Sequence, residues 1–326
     1  MILVTGGTGF VGRRLVDYLL QREYEIRLAS RKSSSSIPNN IEVFLIKDIS
    51  NDTEWYEGLQ NINTVIHTAA RVHIMNDSEL DPLAEFRKVN VEGTLNLARQ
   101  AVEAGVKRFV FVSSIKVNGE MTGGFDETCP HPIPLPEGVK SVFTENDSFI
   151  PDDPYGLSKY EAEQGLLNLA KETDMDVVII RPPLVYGPGV KANFASMMKW
   201  VNKGVPLPFG AIHNQRSLVA LENLVSFIIH CIDHPKAANE VFLISDGEDV
   251  STSELLRKVA KAFGKKPRLI PVPVCLMTTV AKLLGKGDVA ARLFGSLQVD
   301  SSKARELLGW KPVTTMDEQL SKIVRH

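Results

Sequence analysis

The sequence predicts an α/β fold, in which a doubly wound parallel sheet precedes a smaller, mostly C-terminal lobe. Short β-branched runs alternate with segments of helical period, which is typical of repeated βαβ units. A glycine-rich turn follows the first run, and prolines and glycines interrupt the alternation after residue 182. A chain of 326 residues also has room for about two domains of roughly 150 residues each.

Six runs are predicted to be buried parallel strands, because each is nearly continuous in apolar, often β-branched residues. They are Ile2–Thr5, Ile26–Ser30, Val43–Ile46, Thr64–Thr68, Phe109–Ser113 and Val177–Arg181. Helical period between and after these strands predicts their connections. The predicted helices are Gly12–Gln21, Asp52–Gln60, Leu83–Ala104 and Tyr155–Lys171.

Beyond Arg181 the pattern changes, and the chain is expected to leave the first domain, residues 1–182. It is expected to return to the sheet at about 218–245, where Val241–Ile244 forms another strand. Residues 183–217 and 246–326 would then form the smaller lobe. Helical patterns follow at Phe194–Asn202, Glu222–Asp233 and Thr252–Phe263.

Charge and cysteine content exclude several classes of protein. The chain has 37 basic and 39 acidic residues, so it lacks the basic excess of a nucleic-acid-binding surface. Its three cysteines have no metal-type spacing and cannot form a disulfide framework. With neither a signal-peptide pattern nor a long apolar run, we expect a cytoplasmic protein without a metal or a membrane partner.

The glycine-rich turn after the first strand has the spacing of a dinucleotide-binding motif. Three glycines allow a tight turn, a close approach to a pyrophosphate, and close packing of the helix on the strand. The helix N-terminus then presents free N–H groups to the phosphates. The sequence therefore predicts a Rossmann-type domain over residues 1–182, whose phosphate-binding turn contains Gly6, Gly9, Phe10, Val11 and Gly12.

The end of the second strand bears on which dinucleotide binds. An NAD site usually has an acidic residue there, but this sequence has Ser30 and Arg31. An arginine can pair with a 2′-phosphate, so NADP is favoured, with NAD as the alternative. Asp48 and Ile49, after the third strand, are expected to flank the adenine.

Tyr155 and Lys159 are spaced to share one face of a helix. Free tyrosine has a pKa near 10, too high for a base at neutral pH. We expect the Lys159 ammonium and a nicotinamide cation to lower that pKa. Ser114, at the carboxyl end of the fifth strand, is expected to hydrogen-bond the reacting oxygen. The sequence thus predicts a catalytic trio of Ser114, Tyr155 and Lys159.

Taken with further motifs along the chain, these residues resemble the extended short-chain dehydrogenase/reductases, in particular the nucleotide-sugar epimerase/dehydratase family. The motifs include His67-Thr68-Ala69-Ala70, the Ser113-Ser114 pair, Arg181-Pro182-Pro183-Leu184-Val185-Tyr186-Gly187 and Leu307-Leu308-Gly309-Trp310. The resemblance implies that Ala69, Asn90 and Pro182 line the cofactor path. It also implies that Arg216, Asn193 and Arg292 contact a sugar nucleotide's diphosphate, and that the Leu83–Ala104 and Tyr155–Lys171 helices form a homodimer.

Three positions depart from the family pattern. Asn118 stands where tyrosine is usual, and Leu221-Glu222-Asn223 replaces an acidic pair. Ile115-Lys116 follows the serine where dehydratases of this branch carry an Asp-Glu pair, which argues against 4,6-dehydration. Lys116 is either a substrate-facing cation or a solvated lysine.

Four functions fit this resemblance. We favour a 4-ketoreductase that transfers hydride to a nucleoside-diphosphate sugar, expected to be UDP-linked, because no acid ends the second strand. The main alternative is a UDP-sugar 4-epimerase with tightly bound NAD. A steroid- or flavonoid-type ketone reductase and a non-catalytic dinucleotide sensor are more remote alternatives. The proline-rich segment 119–154 is predicted to be a loop that borders the active site.

Overall fold

The computed structural model describes residues 1–32, 37–38, 41–72, 81–123, 141–147, 149–285 and 287–325. Half of the segment predicted to be an active-site loop, residues 124–140 and 148, lies outside the described residues. Ten strands are described. They are β1 Ile2–Thr5, β2 Ile26–Ser30, β3 Glu42–Leu45, β4 Thr64–His67, β5 Arg108–Val112, β6 Asp176–Arg181, β7 Leu184–Tyr186, β8 Arg216–Ala220, β9 Val241–Leu243 and β10 Asp249–Val250.

Twelve α-helices lie in the same described ranges. They are α1 Phe10–Gln21, α2 Tyr56–Leu59, α3 Pro82–Phe86, α4 Thr94–Glu103, α5 Pro154–Glu172, α6 Ala192–Asn202, α7 Leu221–Asp233, α8 Thr252–Ala262, α9 Val274–Leu283, α10 Gly287–Phe294, α11 Ser302–Leu308 and α12 Met316–Arg325. A π-helical segment, Arg87–Gly93, joins α3 to α4, and two short 3₁₀ turns occur at Ile115–Val117 and Pro235–Ala237.

Seven parallel strands form the main sheet in the order β3-β2-β1-β4-β5-β6-β9. The order reverses beside β1, since β1 pairs with both β2 and β4 and aligns Val4 with Leu28 and Ile66. Ligands of open α/β sheets bind at such a reversal, outside the carboxyl ends of the strands. The predicted doubly wound Rossmann-type sheet is confirmed.

Two apolar cores cover the two faces of the sheet. One core joins β1, β2 and β6 to α1 and α7, and the other joins β1, β4 and β5 to α4 and α5. Buried strands with apolar residues on both faces are what a parallel sheet between two helical layers requires. The strands are therefore rigidly held, and so are the side chains at their carboxyl ends.

A second, three-stranded sheet has the order β10-β8-β7 and belongs to the C-terminal part of the chain. A third core packs this sheet against α6, α8 and α12. The chain rejoins the main sheet at β9, while β8 pairs with β7 and β10 in the second sheet. The domain boundaries at 182, 218 and 245 stay a prediction.

The helix and strand predictions differ from the structure in several places, one of which is β3: it was predicted to be buried but is partly exposed. The helix predicted over 52–60 is confined to α2, because the side chains of Asp48, Ser50 and Thr53 bond to one another and to local backbone groups and so compete with helix formation. The helix predicted over 83–104 contains the π-helical segment. The strands β7 and β10 were not predicted, since three and two residues are too few to show an alternating pattern. Strand β8 and the helices α9 to α12 were not predicted either.

Candidate active site

The glycine turn between β1 and α1 leaves no room for side chains. A Cβ at Gly12 would lie 2.2 Å from the Gly6 carbonyl oxygen, and one at Gly6 would lie 2.6 Å from the Ala69 nitrogen. Gly6 also has a φ of +72°, which glycine adopts at little cost. The Gly9 N–H donates to the Gly6 carbonyl across 2.9 Å. The turn is thus a compact backbone cradle at the start of α1, where Phe10 and Val11 form the first helical residues.

At the end of β2, the Ser30 side chain is occupied within its own turn. Its hydroxyl donates to the Lys32 carbonyl across 2.8 Å. Arg31 and Lys32 are both exposed. This edge of the cradle therefore presents cations and no carboxylate, as the sequence indicated.

Asp48 and Ile49, which are predicted to flank the adenine, lie in the loop after β3. The Ser50 hydroxyl donates to the Asp48 carboxylate across 3.3 Å. A Cβ at Gly93 would lie 2.7 Å from the Ile49 side chain. The loop therefore packs closely on the π-helical segment.

Asn90 lies in that segment and fixes two neighbouring parts of the site. Its side-chain oxygen accepts from the Arg71 N–H at 2.8 Å, and its amide donates to the Arg71 carbonyl at 3.0 Å. The same amide donates to Ser158 on α5 at 3.0 Å. Asn90 therefore holds the segment that contains Ala69 at the carboxyl end of β4, and links it to α5.

Ser114 and Tyr155 come together at the carboxyl end of β5. Ser114 is the N-cap of the 3₁₀ turn after β5, and Tyr155 lies in the first turn of α5. Their side chains are near enough for the Ser114 hydroxyl to act on the ionisation of the Tyr155 phenol. The Pro182 carbonyl accepts the Ile115 N–H at 3.0 Å, so the end of β6 is tied to the same turn.

Lys159 lies one helical turn after Tyr155 and is 1% exposed. Its ammonium nitrogen lies 4.0 Å from the centroid of the Phe111 ring on β5. Burial lowers the pKa of Lys159 to about 7, and the nearby Glu163 carboxylate partly opposes that shift. At neutral pH the Lys159 side chain is therefore near its titration midpoint.

The expected lowering of the Tyr155 pKa by Lys159 does not occur in this structure. Burial and, to a smaller extent, the Asp153 carboxylate raise the pKa of Tyr155 to about 12, and only the nearby Ser114 hydroxyl acts in the opposite direction. The reason is desolvation, which disfavours the charged forms of both side chains. The chain by itself therefore holds Tyr155 as a neutral phenol.

Sequence reasoning missed a buried ion pair behind the trio. Arg181 on β6 donates to both carboxylate oxygens of Glu163 at 2.6–3.1 Å, and the Glu163 side chain is 0% exposed. Arg181 also donates to Asn118 at 3.0 Å, and Asn118 donates to the Thr144 carbonyl at 2.7 Å. Glu163 follows Lys159 by one helical turn, a spacing that could have revealed it. The pair anchors α5 to the sheet.

His67 is a neutral structural residue beneath the site. Its Nδ1 lies 2.7 Å from the Thr5 hydroxyl and its Nε2 lies 3.0 Å from the Thr94 hydroxyl. Burial lowers the pKa of His67 to about 3, and the Lys159 charge contributes to the same shift. The histidine therefore bridges β1 to α4 and takes no proton near neutral pH.

The residues expected to bind a diphosphate come from the second lobe. Arg216, at the start of β8, donates to the carbonyls of Arg292 and Gly295 at 2.7 and 3.1 Å. Arg216 and Arg292 are thus neighbours, and burial lowers the pKa of Arg216. Asn193, near the start of α6, is exposed, and the structure records no contact that joins it to the two arginines.

The described residues fit a dinucleotide. The glycine turn is bare backbone at the N-terminus of α1, where a helix presents unpaired N–H groups to phosphates, and it lies beside the β1–β4 reversal of the sheet. No group of three or more His, Cys, Asp or Glu side chains suited to a metal ion occurs within the described ranges. Among the described residues, no helix is both long and apolar enough to span a bilayer.

Comparison with known proteins supports this arrangement. Residues 2–245 match the model of the "NAD dependent epimerase/dehydratase family". A UDP-glucose 4-epimerase of Vibrio cholerae is 51% identical over 97% of this chain and 92% of its own length. A 3-beta-hydroxysteroid dehydrogenase of Mycolicibacterium neoaurum is 28% identical over 98% of this chain and 89% of its own.

The solved structures agree. The UDP-glucose 4-epimerase of Thermotoga maritima with UDP-glucose superposes with a TM-score of 0.74 at 26% identity, covering 99% of this chain and 97% of that one. The chain therefore belongs to the NAD dependent epimerase/dehydratase family and is an NAD(P)-dependent enzyme of the extended short-chain dehydrogenase/reductase type.

Proposed function

We propose that the protein is a 4-epimerase of a UDP-linked sugar that works with NAD. The observation that carries the proposal is the meeting of Ser114 and Tyr155 at the carboxyl end of β5, with Lys159 one turn further along α5. The 51% identity to a UDP-glucose 4-epimerase along almost the whole chain supports the choice of reaction. This choice differs from the 4-ketoreductase that the sequence favoured, and no comparison supports a preference for NADP.

In this proposal Tyr155 accepts the proton of the sugar C4 hydroxyl and later returns it. Ser114 donates a hydrogen bond to the same sugar oxygen and so aligns it with the phenol oxygen. Such proton transfer by a positioned side chain contributes about 10²–10⁴-fold to the rate. The hydride chemistry at C4, removal and return to the opposite face of the ring, would be supplied by the bound dinucleotide.

Tyr155 must lose a proton before it can act as a base. With a pKa of about 12 in the chain alone, only a trace of phenolate exists at neutral pH. A positively charged nicotinamide ring beside the phenol would favour the phenolate. We therefore propose that Tyr155 becomes an effective base only when the oxidised dinucleotide is bound, and that Lys159 then positions the nicotinamide ribose.

The cofactor contacts proposed for this chain follow the glycine cradle and the strand ends. The cradle residues Gly6, Gly9 and Gly12 would hold the pyrophosphate, with Phe10 and Val11 at the start of α1. Asp48 and Ile49 would flank the adenine, and Ala69, Asn90 and Pro182 would line the path to the nicotinamide. On the substrate side, we propose that Arg216 and Arg292 bind the diphosphate, because two neighbouring arginines suit its charge.

The experiment is to incubate the purified protein with UDP-glucose or UDP-N-acetylglucosamine, with no dinucleotide added, and to follow the anomeric protons by NMR. A 4-epimerase with tightly bound NAD will form the C4 epimer of at least one sugar. Tyr155→Phe, which keeps the ring and removes the proton-carrying oxygen, is the control. Absence of any epimer with and without added NAD would overturn the proposal.

A 4-ketoreductase is the second candidate, and one observation favours it. The end of β2 presents exposed Arg31 and no carboxylate, which suits the 2′-phosphate of NADPH. The matching experiment supplies a UDP-4-keto sugar with NADPH or NADH and follows the nicotinamide absorbance. Stoichiometric oxidation of NADPH with no epimerase activity would select this candidate. Arg31→Ala would then raise the KM for NADPH more than that for NADH.

A further inference from the structure

Lys116 lies at the centre of a charged cluster above the site. Its ammonium nitrogen lies 2.9 Å from the Glu120 carboxylate and 3.0 Å from the Asp153 carboxylate. The Lys116 side chain is 30% exposed and that of Asp153 is 26% exposed. Arg292 of α10 approaches the same Glu120 carboxylate at 3.9 Å. The sequence left open whether Lys116 is a solvated lysine, and the structure gives it two acidic partners.

The Lys116–Asp153 pair joins the two segments that carry Ser114 and Tyr155. The Lys116 backbone N–H donates to the Ser114 side chain at 3.3 Å. Asp153 is the N-cap of α5, where its carboxylate accepts the Gly156 N–H at 3.1 Å. Tyr155 lies between Asp153 and Gly156 in sequence, so the cap and the ion pair both act on the turn that carries the phenol.

This turn is tightly packed. A Cβ at Gly156 would lie 2.5 Å from the Asp153 carboxylate and 3.3 Å from the Lys116 side chain. The first turn of α5 thus rests directly on the Lys116–Asp153 pair. A change in either partner therefore acts at short range on the position and the surroundings of the phenol.

Charged groups lie on each of the described elements around Tyr155. On α5 these are Asp153 and Lys159, and on the turn after β5 they are Lys116 and Glu120. On the α3 side the Phe86 ring packs on Tyr155 with centroids 5.9 Å apart. Behind Phe86 lies Arg71, whose guanidinium is 5.8 Å from that ring and 4.0 Å from the Glu85 carboxylate.

We propose that the Lys116–Asp153 ion pair is a positioning element for Tyr155: it fixes the first turn of α5 against the turn that carries Ser114, and its two opposite charges set how readily the phenol ionises. The inference rests on the proposed function only in taking Tyr155 as the group that exchanges a proton. It assigns to Lys116 and Asp153 a role that acts through Tyr155, with no contact to the sugar.

Electrostatics supports the geometry. The Asp153 carboxylate raises the pKa of Tyr155, second only to burial. The Lys116 ammonium is bound to that carboxylate, and we expect it to oppose part of the carboxylate's effect because a positive charge favours a phenolate. Removal of either charge should therefore shift the ionisation of Tyr155, and the two shifts should have opposite signs.

The test uses two substitutions and their combination. Asp153→Asn keeps a good N-cap side chain and removes the negative charge, so the pH midpoint of kcat should fall by about one unit. Lys116→Met keeps the length of the side chain and leaves Asp153 unneutralised, so the midpoint should rise by about one unit. The double variant should lie between the two single variants.

Lys258→Met is the matched control. Lys258 on α8 also joins two carboxylates, those of Glu248 and Asp317, at 2.8 and 2.9 Å, and its side chain is 26% exposed. It belongs to the second lobe, so its replacement should leave the midpoint of kcat unchanged. A merely structural role of Lys116 and Asp153 predicts loss of activity in both variants with no shift of the midpoint.

A second readout does not depend on turnover. It is the phenolate absorbance of each variant at about pH 10, measured with saturating NAD. The absorbance of the same variant carrying Tyr155→Phe is subtracted, so that the remainder reports Tyr155. This absorbance should be higher in Asp153→Asn than in the wild type, and lower in Lys116→Met. That order with an inactive enzyme would keep the inference and reject the proposed function. Shifts of the same sign in both single variants, or no shift in either, would overturn the inference.

Discussion

The two walls of the candidate site are built differently. On one wall, Ser114, Tyr155 and Lys159 stand on β5 and α5, behind which the buried Glu163–Arg181 pair and Asn90 fix the helix. On the other wall, Arg216 is held by two backbone carbonyls, and Asn193 and Arg292 are exposed. Buried contacts therefore hold the wall that carries the proton-transfer residues, while the substrate wall consists of long side chains on the smaller lobe.

This difference matches the chemistry that each wall would perform. Proton and hydride transfer need reacting atoms at fixed separations, and a small misplacement costs a large part of the rate. A diphosphate is bound by charge and tolerates more than one arginine geometry. Substitutions on the first wall should therefore change kcat or the fold itself, and those on the second should change KM.

Tyr155→Phe should have the largest effect, a loss of about 10²–10⁴-fold in kcat with little change in KM. The substitution removes the phenol oxygen but keeps the ring that packs on Phe86. Steady-state assays with the UDP-sugar that the wild type converts measure it. Tyr160→Phe, on the same helix, is the control and should retain activity. A Tyr155→Phe variant with wild-type kcat would contradict the division between the walls.

Glu163→Gln should destabilise the protein by about 3–5 kcal/mol, because it leaves the buried Arg181 guanidinium without a countercharge. The matched control is Glu161→Gln on the same helix. The Glu161 carboxylate accepts hydrogen bonds from Nε and Nη2 of Arg87, but that ion pair is exposed. Such a pair contributes under about 1 kcal/mol to the free energy of unfolding. Urea unfolding of both variants provides the comparison, and equal losses would show that burial does not distinguish the two pairs.

His67 should make the first wall sensitive to acid. Its pKa is lowered to about 3 in the fold, below the ordinary value of about 6.5. The neutral ring therefore stabilises the folded state above about pH 6.5, and this contribution falls by about 1.4 kcal/mol for each pH unit below it. At about pH 5 the loss is about 2 kcal/mol.

His67→Gln should accordingly show a shallower fall in unfolding free energy than the wild type between about pH 6.5 and 4.5. Carboxylates contribute equally to both proteins and cancel in the comparison. The exposed His213, changed to glutamine, should keep the wild-type slope. Identical slopes for the wild type and His67→Gln would mean that the buried ring does not couple folding to protons.

Arg216→Ala should have the smallest effect of the four, a rise of about tenfold in the KM of the UDP-sugar, with kcat within about twofold. The reason is that Arg292 lies beside it and retains one cation for the diphosphate. Arg268→Ala, an exposed arginine of the same lobe, is the control and should leave KM unchanged. A fall in kcat with unchanged KM would place Arg216 with the first wall.

Sequence alone predicted the first wall better than the second. The glycine turn, the end of β5 and the first turn of α5 are short motifs, and their side chains meet because parallel strands end at one edge of a sheet. The structure brings Ser114 near Tyr155 at the carboxyl end of β5, while their catalytic roles stay a prediction. It also supplies the contact between Arg216 and Arg292, which are distant in sequence and which only the family resemblance had linked.

What the sequence could not provide was the balance of burial against charge. Lys159 was expected to make Tyr155 more acidic, but burial acts on both groups and leaves the phenol with a raised pKa. Desolvation depends on packing from several elements, so no local motif encodes it. The same holds for Lys116, whose two acidic partners come from its own turn and from α5.

The π-helical turn at Arg87–Gly93 has a consequence for how this gene can change. Its wider winding accommodates one more residue than an α-helical turn would, and it lets Asn90 reach both Arg71 and Ser158. Loss of a single codon there would regularise the helix and swing the Asn90 position by about 100° around the axis. Insertions and deletions are therefore better tolerated almost anywhere in the surface loops than in these seven codons.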